Sequence, residues 1–207
     1  MKEFEDNPTL MYIHGYASSG NAYKAKVLQQ MFPSCKVVAP TLDYNKLLPE
    51  AIQQTLRRLI EENDVRLIVG SSFGGYHALC ATQFFEGPVW CVNPVRDVVA
   101  TIQGLLMRGV DERFVAERTG GAQSAQMADG ERMIAAYSAF DERVFKHLPR
   151  RDRQLSFALS TDDEVLGDHR PLLQLFPNTD TVIWRDNARH RFYYFNELHD
   201  AIAATMR

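Results

Sequence analysis

Hydrophobic and polar positions in this chain alternate between two periods. Short apolar runs that fit buried strands occupy 9–13, 36–39, 66–69, 89–92, 154–159 and 180–184. Between them lie segments with apolar residues every three or four positions, as an amphipathic helix requires. The clearest spans 47–63: Leu48, Ile52, Leu56, Leu59 and Ile60 make one stripe, and Glu50, Gln53, Arg57, Arg58 and Glu61 cover the opposite face. Helices are likewise predicted over 21–32, 75–85, 170–175 and 194–205, with Pro33 ending the first and Gly87-Pro88 punctuating the chain after the second. Strands alternating with helices at this spacing predict the α/β class: a three-layer, doubly wound, mainly parallel sheet covered on both faces.

From 95 to 153 the strand signal stops, and helical pieces at 97–107, 130–137 and 140–148 follow one another around the break Gly120-Gly121. The segment reads as a helical insertion above the carboxyl edge of the sheet, placed to act as a cap. Helices packed on the sheet flank fit the same pattern equally well. Leu105, Leu106, Met107, Phe114 and Met127 would supply an apolar pocket lining or simply core. At 207 residues, with no internal repeat, the chain fits one domain, 1–207, with the insertion inside it.

Composition narrows the function classes. A net charge of −3 gives no global basic bias toward nucleic acid or an anionic membrane, and Arg150, Arg151 and Arg153 read as solvated loop charges. No apolar run reaches the ~18 residues of a membrane span, and the start of the chain is polar and acidic, so a cytoplasmic location is expected. Cys35, Cys80 and Cys91 are an odd set without close pairing, which argues for reduced thiols and against a disulfide framework or a zinc site.

The chemistry centres on Gly70-Ser71-Ser72-Phe73-Gly74, which follows the apolar run 66–69 and precedes a helix. A strand, one tight turn and a helix is the context a nucleophile elbow requires, and the flanking residues must be small so that strand and helix can approach. The helix start aims unpaired N–H groups and its positive dipole end at the Ser72 hydroxyl, and the Phe73 N–H would face an oxyanion. A serine needs a base within hydrogen-bond reach and a third group to orient that base. Of six histidines, His77 lies on the elbow's own helix, His147 in the insertion and His199 on the terminal helix, while His169 follows the acidic loop too closely to be served by it easily. His190 follows the last strand at the same sheet edge as Ser72 and is the expected base. The acid is expected from Asp162-Asp163-Glu164 after the fifth strand; the pattern favours Asp163, with its neighbours as alternatives and helix capping as the structural reading. His14 and Gly15, at the carboxyl end of the first strand, are assigned to substrate binding.

Together, Tyr12-Ile13-His14-Gly15-Tyr16, Gly70-Ser71-Ser72-Phe73-Gly74-Gly75, Asp163-Glu164-Val165 and His190 resemble the α/β-hydrolase superfamily. The likeness spans nearly the whole chain and is nearest to small, largely uncharacterised bacterial esterase-like proteins with Tyr-Ile-His-Gly and Gly-Ser-Ser-x-Gly-Gly motifs. The resemblance implies a compact α/β-hydrolase fold without the two leading strands, a Ser72–His190–Asp163 triad, and an oxyanion hole from the N–H groups of Phe73 and Tyr16. Many relatives carry glycine before the acid and before the histidine, where this chain has Asp162 and Arg189.

The expected activity is that of a serine esterase, hydrolysing a small or medium acyl ester through an acyl-enzyme. A thioesterase or acyltransferase using the same triad, or a catalytically weak hydrolase fold kept for binding, are the alternatives. The expected partner is a small-molecule ester or thioester, with no metal or organic cofactor, no nucleic acid and no membrane; oligomeric state is not readable.

Overall fold

The computed structural model describes residues 7–108, 129–148 and 154–206. Six strands form one sheet: β1 (Thr9–Ile13), β2 (Lys36–Val38), β3 (Val65–Ser71), β4 (Val89–Val92), β5 (Leu155–Ser160) and β6 (Thr181–Arg185). Their order is β2-β1-β3-β4-β5-β6, and every pairing is parallel. The chain leaves β1 for β2 on one side and returns to β3 on the other, so the strand order reverses between β1 and β3. In open α/β sheets the crevice outside the carboxyl ends at such a reversal is where ligands bind. Register brings those ends level, with Ile13 beside Gly70, Ser71 beside Val92 and Ser160 beside Arg185.

The period of two along the strands sorts side chains into two cores. Met11 and Ile13 of β1, Val89 and Cys91 of β4, and Leu155, Phe157 and Leu159 of β5 face one layer of helices. That layer holds α2 (Pro49–Glu62), α3 (Phe73–Ala81), α4 (Val98–Arg108) and α5 (Gly130–Arg143). Leu10 and Tyr12, Trp90 and Val92, and Ala158 face the other. There α1 (Tyr23–Met31) packs beside a 3-10 turn, Phe195–Leu198, that runs into the terminal helix. A short α6 (Arg170–Leu173) precedes β6, and the terminal helix is α7 (His199–Thr205). Both sheet faces are therefore covered, as a parallel sheet requires.

Several boundaries differ from the periodicity: α3 ends at Ala81 and not at 85, and the helix expected over 194–205 is a 3-10 turn followed by α7. The pieces expected at 130–137 and 140–148 are one helix, α5, continuing through Ser138 and Ala139, followed by a 3-10 turn at Phe145–His147. The helix expected from 75 begins at Phe73, directly after Ser72. Of the 95–153 insertion, α4 and α5 pack on each other and join the core through Val98, Ile102, Met133, Tyr137 and Phe140. Gly130 lets them close: a Cβ there would lie 2.8 Å from a Leu106 methyl. Phe114, Met127 and Arg150 to Arg153 lie outside the described residues. All three cysteines are buried and unpaired, and no helix among the described residues is long and apolar enough to cross a membrane.

A buried polar chain fastens α5 to α3. Gln53 Nε2 donates to His77 Nδ1 at 3.0 Å and to the His77 carbonyl at 3.2 Å, which leaves the His77 Nε2–H to donate to the Tyr137 hydroxyl at 3.0 Å. The Tyr76 hydroxyl donates to Asp141 at 3.3 Å on the next turn of α5. Burial, and secondarily the charge of His14, hold His77 down to about 3. Between pH ~6.5, where an unfolded-chain histidine titrates, and about 3, the unfolded state binds a proton that the native state does not, so stability is full above 6.5 and drains as pH falls. We expect the chemical-denaturation free energy to fall by about 1.4 kcal/mol per pH unit from this residue on going from pH 6 to pH 4. His77→Gln should show a measurably shallower slope over that range; an unchanged slope would contradict the assignment.

Candidate active site

Ser72 sits at the junction of β3 and α3 with φ 54° and ψ −119°, a left-handed conformation that side chains other than glycine rarely adopt. The junction is crowded. A Cβ at Gly70 would lie 2.5 Å from the Gly74 carbonyl oxygen, and one at Gly74 would lie 2.2 Å from that of Ile13. Strand, helix and the end of β1 meet only because those positions lack side chains. The Ser72 peptide is pinned at both ends: its N–H donates to the Val92 carbonyl at 2.9 Å, and its carbonyl accepts from Gly75, Tyr76 and Val95.

The hydroxyl exposed by this turn meets His190. Ser72 Oγ lies 2.9 Å from His190 Nε2, and His190 Nδ1 lies 3.0 Å from both carboxylate oxygens of Asp163. With a hydrogen on Nδ1 donated to the carboxylate, Nε2 is left to accept the serine proton. Asp163 also receives the N–H groups of Val165 and Leu166, at 2.9 and 2.8 Å, on Oδ1. Burial pushes its carboxyl upward, but hydrogen bonds from His169 and His190, the charge of His190 and the Leu166 N–H outweigh that, so it is held well below the usual carboxylate range.

The neighbouring acids take different work. Asp162 accepts from the Ser160 hydroxyl at 2.6 Å and the Arg189 N–H at 3.1 Å; those two bonds hold its carboxyl below the ordinary value. Glu164 accepts the His190 backbone N–H at 2.9 Å. His169 is drawn onto the acid: its Nε2 lies 2.9 Å from Asp163 Oδ2 and it is 3% exposed. The expectation that the acidic loop could not easily serve His169 is thus corrected, because the residues from 164 to 168 fold back and close the six-residue separation. Its ring does not reach Ser72, which His190 occupies.

Gly15 abuts Ser72: a Cβ there would lie 3.1 Å from Ser72 Cβ and 3.6 Å from Oγ. The structure corrects the assignment of His14 to substrate binding. Its ring is fully buried, Nε2 accepts the Leu42 N–H at 2.9 Å, and Nδ1 donates to the Gly15 carbonyl at 2.8 Å. Burial lowers it to about 4, so it stays neutral, and it braces the turn that carries Gly15 and Tyr16. The Tyr16 side chain turns away to Asn45, at 2.8 Å, leaving its backbone as the part nearest Ser72's neighbour Gly15. The N–H groups of Tyr16 and Phe73 have no acceptor among the described residues. No metal-ligand trio of His, Cys, Asp or Glu converges among those residues either.

Sequence reasoning missed Asn93. It ends β4 at φ 41°, fully buried. Its Nδ2 donates to the carbonyls of Arg189 and His190, at 2.9 and 3.1 Å, and its Oδ1 accepts the Ser160 N–H at 2.8 Å. One side chain therefore ties the histidine loop to the end of β5. The available signal was an Asn at a strand end, a residue type that tolerates the left-handed region.

The chain belongs to the Uncharacterised protein family (UPF0227), whose model matches residues 9–206. Solved structures share the fold. The lip1 protein of Acinetobacter baumannii AYE superposes with a TM-score of 0.67 at 16% identity, covering 96% of this chain and 81% of that one. An esterase domain from a Rhodothermus marinus protein gives 0.65 at 14%, covering 97% and 87%. The thioesterase domain of the curacin biosynthetic pathway gives 0.61 at 14%, covering 97% and 91%. The fold is the α/β-hydrolase fold, with all six described strands parallel.

Asn93→Ala would leave a buried N–H and two carbonyls without their partner. We expect a loss of about 2–3 kcal/mol in denaturant unfolding, at the level of unsatisfied buried groups, with a disproportionate fall in any Ser72-dependent activity because the His190 loop loses its inner anchor. Asn93→Asp keeps the Oδ1 acceptor but sets a buried carboxylate oxygen against the carbonyls of Arg189 and His190, so it should be at least as destabilising as Asn93→Ala.

Proposed function

We propose that this protein is a serine hydrolase that cleaves a carboxylic ester through an acyl-enzyme. The observation that carries the reading is the continuous path from Ser72 Oγ through His190 to Asp163, with contacts of 2.9 and 3.0 Å. In this reading Ser72 Oγ attacks the ester carbonyl carbon while His190 Nε2 takes its proton; Asp163 stabilises the imidazolium and keeps the ring in its tautomer. The tetrahedral oxygen accepts from the N–H groups of Phe73 and Tyr16, a kind of donor typically worth about 3–4 kcal/mol each in the transition state. His190 then protonates the leaving alkoxide, the alcohol departs, and water attacks the acyl-serine with His190 again as base, returning the proton to Ser72. Each step uses groups present at the β1, β3, β5 and β6 ends.

The substrate class is a small-molecule ester of short or medium acyl length. A thioester differs only in the leaving atom, which needs less protonation, so thioester hydrolysis lies within the same machinery. Phe73 and Tyr16 pack against each other at 6.4 Å between ring centres, and Phe73 meets Tyr137 edge-on at 5.4 Å. Phe73 and Tyr137 are themselves buried, so these contacts stiffen the turn that carries the proposed oxyanion donors.

The test is fluorophosphonate labelling together with hydrolysis of p-nitrophenyl esters of increasing chain length. Ser72→Ala should abolish labelling and lower turnover by about 10⁶-fold, and Asp163→Asn by about 10⁴-fold, with circular dichroism unchanged. A folded wild type that neither labels nor turns over an ester of any length would refute the proposal.

A further inference from the structure

Asp163 is held by two histidines. His190 Nδ1 lies 3.0 Å from both of its oxygens, and His169, at the start of α6, donates Nε2–H to Oδ2 at 2.9 Å. With Val165 and Leu166 N–H on Oδ1, the carboxylate has four donors and no freedom to rotate. The three groups that transfer or orient protons in the proposed reaction need one acid alone, and the second histidine is surplus to it.

We propose that His169 is a positioning residue for the hydrolytic reaction: its Nε2–H fixes the Asp163 carboxylate and limits how much of its charge reaches His190. The inference rests on the serine-hydrolase reading above.

The geometry sets what His169 does. It is 3% exposed, so water cannot replace it as a donor. Its own carbonyl accepts the N–H groups of Leu172 and Leu173, so the ring is rooted in the first turn of α6 and not in a free loop. Pinning Oδ2 leaves the carboxylate plane aligned with His190 Nδ1, which keeps Nε2 aimed at Ser72. The hydrogen bond also competes with His190 for the carboxylate, and removing it would raise His190's hold on a proton. The other charged groups around the two rings are engaged elsewhere: Asp162 with Ser160 and the Arg189 N–H, Glu164 with the His190 N–H, and Asp168 with Arg170. None of them touches Asp163 Oδ2 in place of His169.

A purely architectural His169 would anchor α6 and nothing more. His169→Phe keeps the volume and removes the donor; His169→Gln can present an amide N–H near the same point. For the Phe variant we expect kcat to fall about 10- to 100-fold, the scale of a catalytic group displaced by less than an ångström or so. KM should stay within about twofold, since no contact to substrate is lost. The acid limb of the kcat/KM profile, where His190 must be neutral, should move to higher pH. The Gln variant should recover most of kcat and the wild-type limb.

A second measurement does not depend on the variants folding. In ¹⁵N-histidine NMR of the wild-type protein near neutral pH, His169 should carry its proton on Nε2 and His190 on Nδ1. His169 protonated on Nδ1 alone would overturn the inference, as would a folded Phe variant with wild-type kcat and profile, or Phe and Gln variants equally impaired. Fluorophosphonate labelling of the wild type is run first. Absence of Ser72 labelling brings down the hydrolase reading and this inference with it, whereas labelling with an unmoved Phe profile brings down the inference alone.

Discussion

Everything at the carboxyl edge depends on one strained peptide. Ser72 lies in a backbone region that costs a non-glycine residue roughly 1–3 kcal/mol, and it persists because its surroundings leave it no alternative. Its N–H continues the ladder onto Val92, its carbonyl takes three N–H groups from α3 and the turn after β4, and Gly70 and Gly74 let the flanking elements press together. Relaxing the turn would break those bonds or press the backbone against the end of β1. The strain raises Oγ clear of the sheet and leaves the first N–H groups of α3 open beside it, which is where an anion would gather.

Strain of this kind is concentrated at the same edge. Apart from Asp64 in the turn before β3, the described non-glycine residues with positive φ are Ala17, Ser72, Asn93, Asn187, Arg189 and Phe192, all in loops after strand ends. Each needs an external brace, and the braces are polar and buried. His14 holds the β1 loop to Leu42 while Tyr44 donates to the His14 carbonyl; Asn93 holds the 186–192 loop to β5. A small hollow lined by Thr82, Phe85, Val89, Leu155 and Phe176 lies instead at the amino ends of the strands, remote from any of these groups.

The six strands and most helices were legible because burial imposes a period of two or of three to four, and short-range pattern reports it directly. The elbow, the late histidine and the acidic loop were legible because a strand end fixes where the following residue must go. The start of α3 was displaced by two residues, since Gly74 and Gly75 read as loop by propensity, whereas they are glycine because the Ile13 and His14 carbonyls at the one and Pro94 at the other leave no room for a Cβ. His14, Asn93 and His169 were misread or missed for a common reason. Their partners are at long range or on the far side of a turn, and nothing in their local sequence encodes a contact to Leu42, to Arg189 or back to Asp163.

The run Asp162-Asp163-Glu164 shows how chemically similar neighbours are told apart. Successive residues at the end of a strand point in different directions, so three carboxylates in a row meet three surroundings. Asp162 and Glu164 bind backbone N–H groups of Arg189 and His190 and so fix the loop; Asp163, between them, turns inward to the imidazole. Dividing the tasks this way separates holding the main chain from holding the ring. A single carboxylate serving both would have to share its lone pairs between a static anchor and a group whose charge would change in the proposed proton transfer. With the backbone of His190 secured by Glu164 from one direction and its carbonyl by Asn93 from another, in the proposed hydrolysis the ring's hydrogen bond to Asp163 would strengthen on protonation without the loop having to move.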